Sequence, residues 1–173
     1  MIVNSHNDWD QLEEIIVGHA HHSRIATDIS ARSFSYAPYP EGVYPQWVID
    51  EANEDADGLA KVLADMGVIV HRPKIVDWEN INYDIGQGWN TKGWYSWCPR
   101  DLILPLGDML IETPTPVRAR YFEAKHLYED IMYEAFEDGA LWLEAPKPKL
   151  HDDMYQFEDL DVATLLDHEI CFD

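Results

Sequence analysis

Apolar positions along the chain alternate between short dense runs and longer stretches spaced as on a helix. Leu102–Leu106 and Met109–Glu112 are two short apolar runs separated by Gly107-Asp108. A two-residue loop with glycine first reads as a hairpin turn. From Pro45 onward, Val48, Ala52, Leu59, Val62, Leu63 and Met66 recur at helical intervals. The fixed φ of Pro45 suits the first turn, and Asp50, Glu51, Glu54 and Asp55 crowd the early turns, where the helix dipole favours them. Gly67 closes this helix, Val68–Val70 reads as a strand, and Arg72-Pro73 stops it. Pro114 and Pro116 introduce a second helix, predicted over about Val117–Glu137, with Tyr121, Leu127, Tyr128, Ile131 and Phe136 among its apolar positions. Gly139 ends it, Ala140–Leu143 reads as a strand, and Pro146 stops that. Near the start, Ile15-Ile16-Val17 closed by Gly18 predicts a strand over about residues 13–17, with Trp9 packing beside it. Ser23–Pro45 and Ile75–Gly93 show no periodicity and read as long loops, the first a candidate lid. Lys149–Asp167 is acidic and loop-like, and Glu169–Asp173 reads as the start of another strand.

The order helix, glycine, short strand, proline occurs twice, and Gly67 and Gly139 stand 72 positions apart. The predicted unit is hairpin, helix, strand. Residues 1–173 hold about two such units plus the start of a third, within one α/β domain. Radial units of this kind are stable once a ring closes and the sheet edges are protected. Two units do not close a ring. The pattern therefore predicts exposed strand edges and a chain that oligomerises or needs further modules.

Composition narrows the partners. Hydrophobic residues make up 46% of the chain and aromatics 12%, enough for a folded core. Against 12 Lys+Arg stand 33 Asp+Glu, a formal charge of −21. That opposes a nucleic-acid backbone or an anionic membrane surface as partner, and favours a cationic small molecule. An acidic surface also keeps proteins soluble, so the charge excludes partners without choosing a substrate. Cys98 and Cys171 are the two cysteines, too few for a disulfide framework and without metal-ligand spacing. There is no charged and apolar leader pattern and no apolar run near 18 residues, so the expected setting is soluble and cytoplasmic. His19, His21 and His22 lack a carboxylate at fixed spacing and read as residues of a solvated loop, not metal ligands. His71 and His126 read as core or surface residues. No metal or cofactor is implied.

The candidate chemistry gathers in Trp94–Thr113. Trp94, Tyr95 and Trp97 are flat side chains suited to walling a site or closing a core. Pro99-Arg100-Asp101 is a rigid corner at the mouth of the hairpin. A carboxylate there can receive a planar guanidinium through two parallel hydrogen bonds. The structural alternative is an Asp101–Arg100 pair or a turn cap.

Asn4–Gly18, the run NSHNDWDQLEEIIVG, resembles the opening signature of the amidinotransferase family. Gly67–Pro73, Tyr95–Gly107, Arg118–Glu123, Ala145-Pro146-Lys147-Pro148 and Cys171-Phe172-Asp173 resemble that family in the same order. The resemblance covers essentially the whole chain. Asp8 stands where the family usually has Glu, His19 where Arg is common, and Trp97-Cys98 where smaller or thioether residues are usual.

The resemblance implies a pentein-like α/β propeller of five hairpin–helix–strand modules, of which this chain would be the N-terminal part. It implies transfer of an amidino group from arginine to an acceptor amine through an amidino-cysteine, with glycine the default acceptor and guanidinoacetate its product. On this resemblance Asp101 matches the aspartate that holds the substrate guanidinium, and Asp173 matches the aspartate that partners the catalytic His. The family's His, the Asp that follows it in His-x-Asp, its carboxylate-binding Arg and its nucleophilic Cys have no counterpart within residues 1–173. Cys98 aligns with a non-nucleophilic position, and Cys171 reads as an inward strand residue. The chain alone is therefore expected to be inactive. Two other readings stand beside this one: a non-catalytic half-propeller that binds a partner or a cationic ligand, and part of a related guanidino-modifying hydrolase.

Overall fold

The computed structural model describes residues 3–25, 42–86 and 88–152. The middle of the candidate lid and the predicted strand at Glu169–Asp173 lie outside them.

The repeat is realised as two strand–helix–strand crossovers. In the first, β1 (Glu14–Ile16) pairs in parallel with β4 (Ile69–His71), in register Ile15 to Val70. A parallel pair needs a crossover, and α1 (Gln46–Asp65) supplies it. In the second, β7 (Ile103–Leu106) and β8 (Met109–Glu112) form the expected antiparallel hairpin. Then α2 (Glu123–Glu137) crosses over to β9 (Leu141–Glu144), which runs parallel to β8. Gly67 and Gly139 end the two helices with φ of 92° and 102°, the left-handed turn that glycine adopts without strain.

The units differ in completeness. The second has its hairpin in one three-stranded sheet; among the described residues the first has the two parallel strands β1 and β4. The loop expected over Ser23–Pro45 contributes instead a separate short antiparallel pair, β2 (Arg24–Ile25) with β3 (Gly42–Val43). The expected loop Ile75–Gly93 contains a small antiparallel pair as well, β5 (Tyr83–Asp84) with β6 (Asn90–Thr91).

The main core lies between α2 and the inner face of its sheet. Leu127, Tyr128, Met132 and Ala135 pack there with Leu102, Ile103, Leu110 and a fully buried Trp78. The opposite sheet face is apolar too. Register places Leu104, Ile111 and Leu143 in one row and Leu106, Met109 and Leu141 in the next. The four leucines of these rows are 45–53% exposed. Only the C-terminal part of the apolar stripe of α1 is exposed, at Leu59, Val62 and the capping Met66; Val48, Ala52 and Leu63 are half-buried, and the buried positions of this helix are Ile49 and Asn53. The helix predicted over Val117–Glu137 is broken at its start, where Arg118–Arg120 forms a 3₁₀ turn before α2 begins.

Candidate guanidinium site

The corner Pro99–Asp101 is a 3₁₀ turn leading straight into β7. Leu102 N donates to Pro99 O at 3.0 Å. Thr113 ties the far end of the hairpin to the same corner, with Oγ1 donating to Asp101 O at 2.6 Å and its backbone N to Leu102 O at 2.9 Å. Asp101 thus stands where the sequence places it, at the mouth of the hairpin, with 30% of its side chain exposed.

Asp101 does receive a guanidinium, and it is the chain's own. Arg120 donates one N–H to Asp101 Oδ2 at 2.7 Å. Its Nε and second terminal nitrogen hold both Glu123 oxygens, at 2.7 and 3.1 Å, and that nitrogen also reaches Cys98 O at 3.3 Å. The Tyr95 ring lies 4.8 Å from the guanidinium carbon, a cation–π contact. Among the described residues, Asp101 Oδ1 meets only the exposed Arg100 Nε at 3.9 Å. The Asp101–Arg100 pair of the structural alternative is therefore present, but long and solvated.

Arg120 and Glu123 are buried, and their electrostatics follow from that. Burial pushes the Glu123 carboxyl up to about 7, against the pull of the Arg120 guanidinium. Burial alone would lower the Arg120 pKa; the Glu123 carboxylate, together with Tyr95 and Asp101, outweighs it and holds the guanidinium above its ordinary value. Burial and the nearby Asp101 carboxylate push the Cys98 thiol up, so it is poorly suited to act as a thiolate nucleophile. Nothing in the local pattern assigned a role to Arg120 or Glu123. The signal that could have found them is an arginine three residues ahead of a glutamate at a helix start.

The aromatics do wall this corner. Tyr95 stacks on Trp97 at 5.0 Å and 25°, Trp94 meets Tyr95 edge-on at 4.7 Å, and Tyr44 tilts against Trp97 at 5.9 Å. The other arginine of the 3₁₀ turn, Arg118, faces elsewhere, over the Trp89 ring and onto Leu150 O and Asp152. Lys147, in the Ala145–Pro148 block, reaches back to a buried Glu112 and donates to Tyr121 O at 3.1 Å.

The histidine cluster corrects a loop expectation. His22 is exposed, but His19 is 2% exposed, with Nε2 3.2 Å from Lys74 O, and burial lowers its pKa. His71 is half-buried and pairs with Glu14 at 2.8 Å. Among the described residues no three His, Cys, Asp or Glu side chains gather in a way that could hold a metal ion. Asp173 and Cys171 lie outside the described residues. Among the described residues no helix is long and apolar enough to cross a membrane.

No protein-family model matches the chain. Curated relatives do. Inosamine-phosphate amidinotransferase 1 of Streptomyces griseus is 39% identical over 180 residues, covering 99% of this chain and 51% of the relative. Mitochondrial glycine amidinotransferase of Xenopus laevis is 33% identical over 173 residues, covering 95% and 40%. Among solved structures, the inosamine-phosphate amidinotransferase of S. griseus superposes with a TM-score of 0.81 at 41% identity, over 88% of this chain and 45% of that one. An amidinotransferase of the saxitoxin biosynthetic pathway of Microseira wollei gives 0.76 at 34% identity, over 90% and 46%. The chain spans about half the length of the curated relatives it matches. Sequence and fold together place the chain in the amidinotransferase family.

Proposed function

We propose that this chain is the guanidinium-holding part of an arginine-dependent amidinotransferase. The observation that carries the reading is the state of Asp101: a fixed, part-exposed carboxylate with one oxygen anchored by Arg120 and the other directed at no close partner among the described residues. A substrate guanidinium would donate to Asp101 Oδ1 beside the Tyr95–Trp97 wall. The chemistry proposed for the whole enzyme is a double displacement. A Cys thiolate attacks the guanidinium carbon, the C–N bond to ornithine breaks, and a His gives its proton to the leaving amine. The acceptor amine, glycine by family default, then attacks the amidino-cysteine, passes a proton to the His and releases the thiolate. Asp173 is proposed to orient that His. The Cys and His are not among residues 1–173, so the chain alone binds arginine without turning it over.

The outward apolar rows of the β7–β8–β9 sheet and the exposed Leu59, Val62 and Met66 at the end of α1 support a chain that works as an oligomer or with a C-terminal half. The setting proposed for it is the cytoplasm; "mitochondrial" belongs to the name of the Xenopus relative. The test is an NMR titration of the purified chain with arginine. Saturable binding that Asp101→Asn weakens at least about tenfold supports the reading. No binding, or binding indifferent to Asp101→Asn, overturns it. Ornithine release by the chain alone, lost in Asp101→Ala, would overturn its inactivity.

A further inference from the structure

We propose that Arg120 and Glu123 are positioning residues, which fix Asp101 so that a single carboxylate oxygen, Oδ1, is presented to an arriving guanidinium. This rests on the reading of Asp101 as the guanidinium acceptor, and deepens it.

A carboxylate on a surface turn rotates freely about its last bond, and ordering it on binding costs affinity. Asp101 is not in that state. Its Oδ2 is held at 2.7 Å by a guanidinium that is itself only 6% exposed. Arg120 has little freedom to swing away. Both Glu123 oxygens hold it, Cys98 O accepts from it, and the Tyr95 ring lies against it. Glu123 is 1% exposed and is the first residue of α2, so the anchor is part of the main core and not of the surface. The chain of contacts runs from the helix start, through Glu123 and Arg120, to the carboxylate at the hairpin mouth.

Arg120 also helps fix the backbone of the corner. The Arg120 contact to Cys98 O and the Thr113 contact to Asp101 O hold the turn from both ends. Residues 98–101 are therefore tied by side chains that belong to other elements. Such preorganisation places a charged acceptor before the ligand arrives. It also alters the expected grip. A free carboxylate offers a guanidinium two parallel hydrogen bonds, but here one oxygen is engaged by Arg120, so Asp101 meets its ligand one-handed through Oδ1.

A double-mutant cycle on the 173-residue chain tests this, with arginine as the probe and NMR titration as the readout. Circular dichroism and thermal melts report folding. Arg120→Lys keeps a cation beside Glu123 but removes the planar fork. We expect it to weaken arginine binding about tenfold. Glu123→Gln, which keeps the shape of the anchor, is expected to weaken binding less, and serves if Arg120→Lys does not fold. In the Asp101→Asn background both substitutions are expected to have no further effect on affinity, because they act through that carboxylate. A purely structural role would lower melting temperature and leave affinity unchanged. If wild type binds, Asp101→Asn weakens it, and the Arg120 and Glu123 variants bind within about twofold of wild type or add to Asp101→Asn, this inference falls and the reading of Asp101 stands. If wild type does not bind arginine, both fall.

Discussion

Ser5 and Gly107 exchange backbone hydrogen bonds, Ser5 N to Gly107 O at 2.8 Å and Gly107 N to Ser5 O at 2.6 Å. This bridge seats the N-terminal segment on the tip of the β7–β8 hairpin, across more than half of the chain. Gly107 holds the turn with φ of 61°. A side chain there is strained by conformation, not by crowding, since an added Cβ would come no closer than 3.5 Å to His6. Gly107→Ala is therefore expected to cost about 1–2 kcal/mol in urea denaturation. Unchanged stability would mean that the turn relaxes to another φ.

The buried Glu123 makes stability depend on pH in a defined direction. Its folded pKa is about 7, above the ordinary 4.5. Between those values the folded chain binds the extra proton, so the Glu123 contribution is greatest at low pH and falls as pH rises towards 7. The slope from this group is at most about 1.4 kcal/mol per pH unit, and it fades as pH rises through the folded pKa. Glu123→Gln should remove that component. Denaturation midpoints of the two proteins at pH 5, 6, 7 and 8 measure it, and parallel profiles would show that Glu123 titrates as it does unfolded.

Much of this architecture was readable from local pattern. The hairpin turn, the helix stop at Gly67 and the strand after Gly139 each rest on residues adjacent in sequence, and each is present. Asp101 was placed correctly because the corner before the hairpin is local as well. The break at Arg118–Arg120 was not readable. It accompanies contacts that reach 19 residues back to Asp101 and 32 and 34 forward to Leu150 and Asp152. No periodicity encodes these. The guanidinium partner of Asp101 was missed for the same reason. His19 was misread because a short polar run looks like a loop, while in the structure its ring meets Lys74 O and its backbone N donates to Ser96 O, both far along the chain.

Lys147 and Glu112 form a buried pair, side chains 10% and 8% exposed, that ties the segment after β9 to the end of β8. Removing Lys147 leaves the Glu112 carboxylate buried without its cation. Lys147→Met should cost about 3–5 kcal/mol. Replacing both, as Lys147→Met with Glu112→Leu, should recover much of that loss, because two apolar groups need no partner. Thermal and urea unfolding of the two single variants and the double variant decide the matter. Additive losses would show that the two side chains act independently.

The last prediction concerns the outer face of the second sheet. Its two rows, Leu104–Ile111–Leu143 and Leu106–Met109–Leu141, form a continuous apolar surface on regular strands. Water contact over such a patch favours association, and the formal charge of −21 opposes it by repulsion between copies. Salt screens the repulsion and leaves the apolar drive in place. Sedimentation should therefore show a mass that rises with protein concentration, and rises further between low and physiological salt. Leu106→Lys with Leu143→Lys puts one cation in each row and lowers the apolar area. It should return the chain to a monomer while shifting stability by no more than about 1 kcal/mol, since both side chains are largely exposed. A wild-type chain that stays monomeric at every concentration and salt would show that this face does not drive self-association.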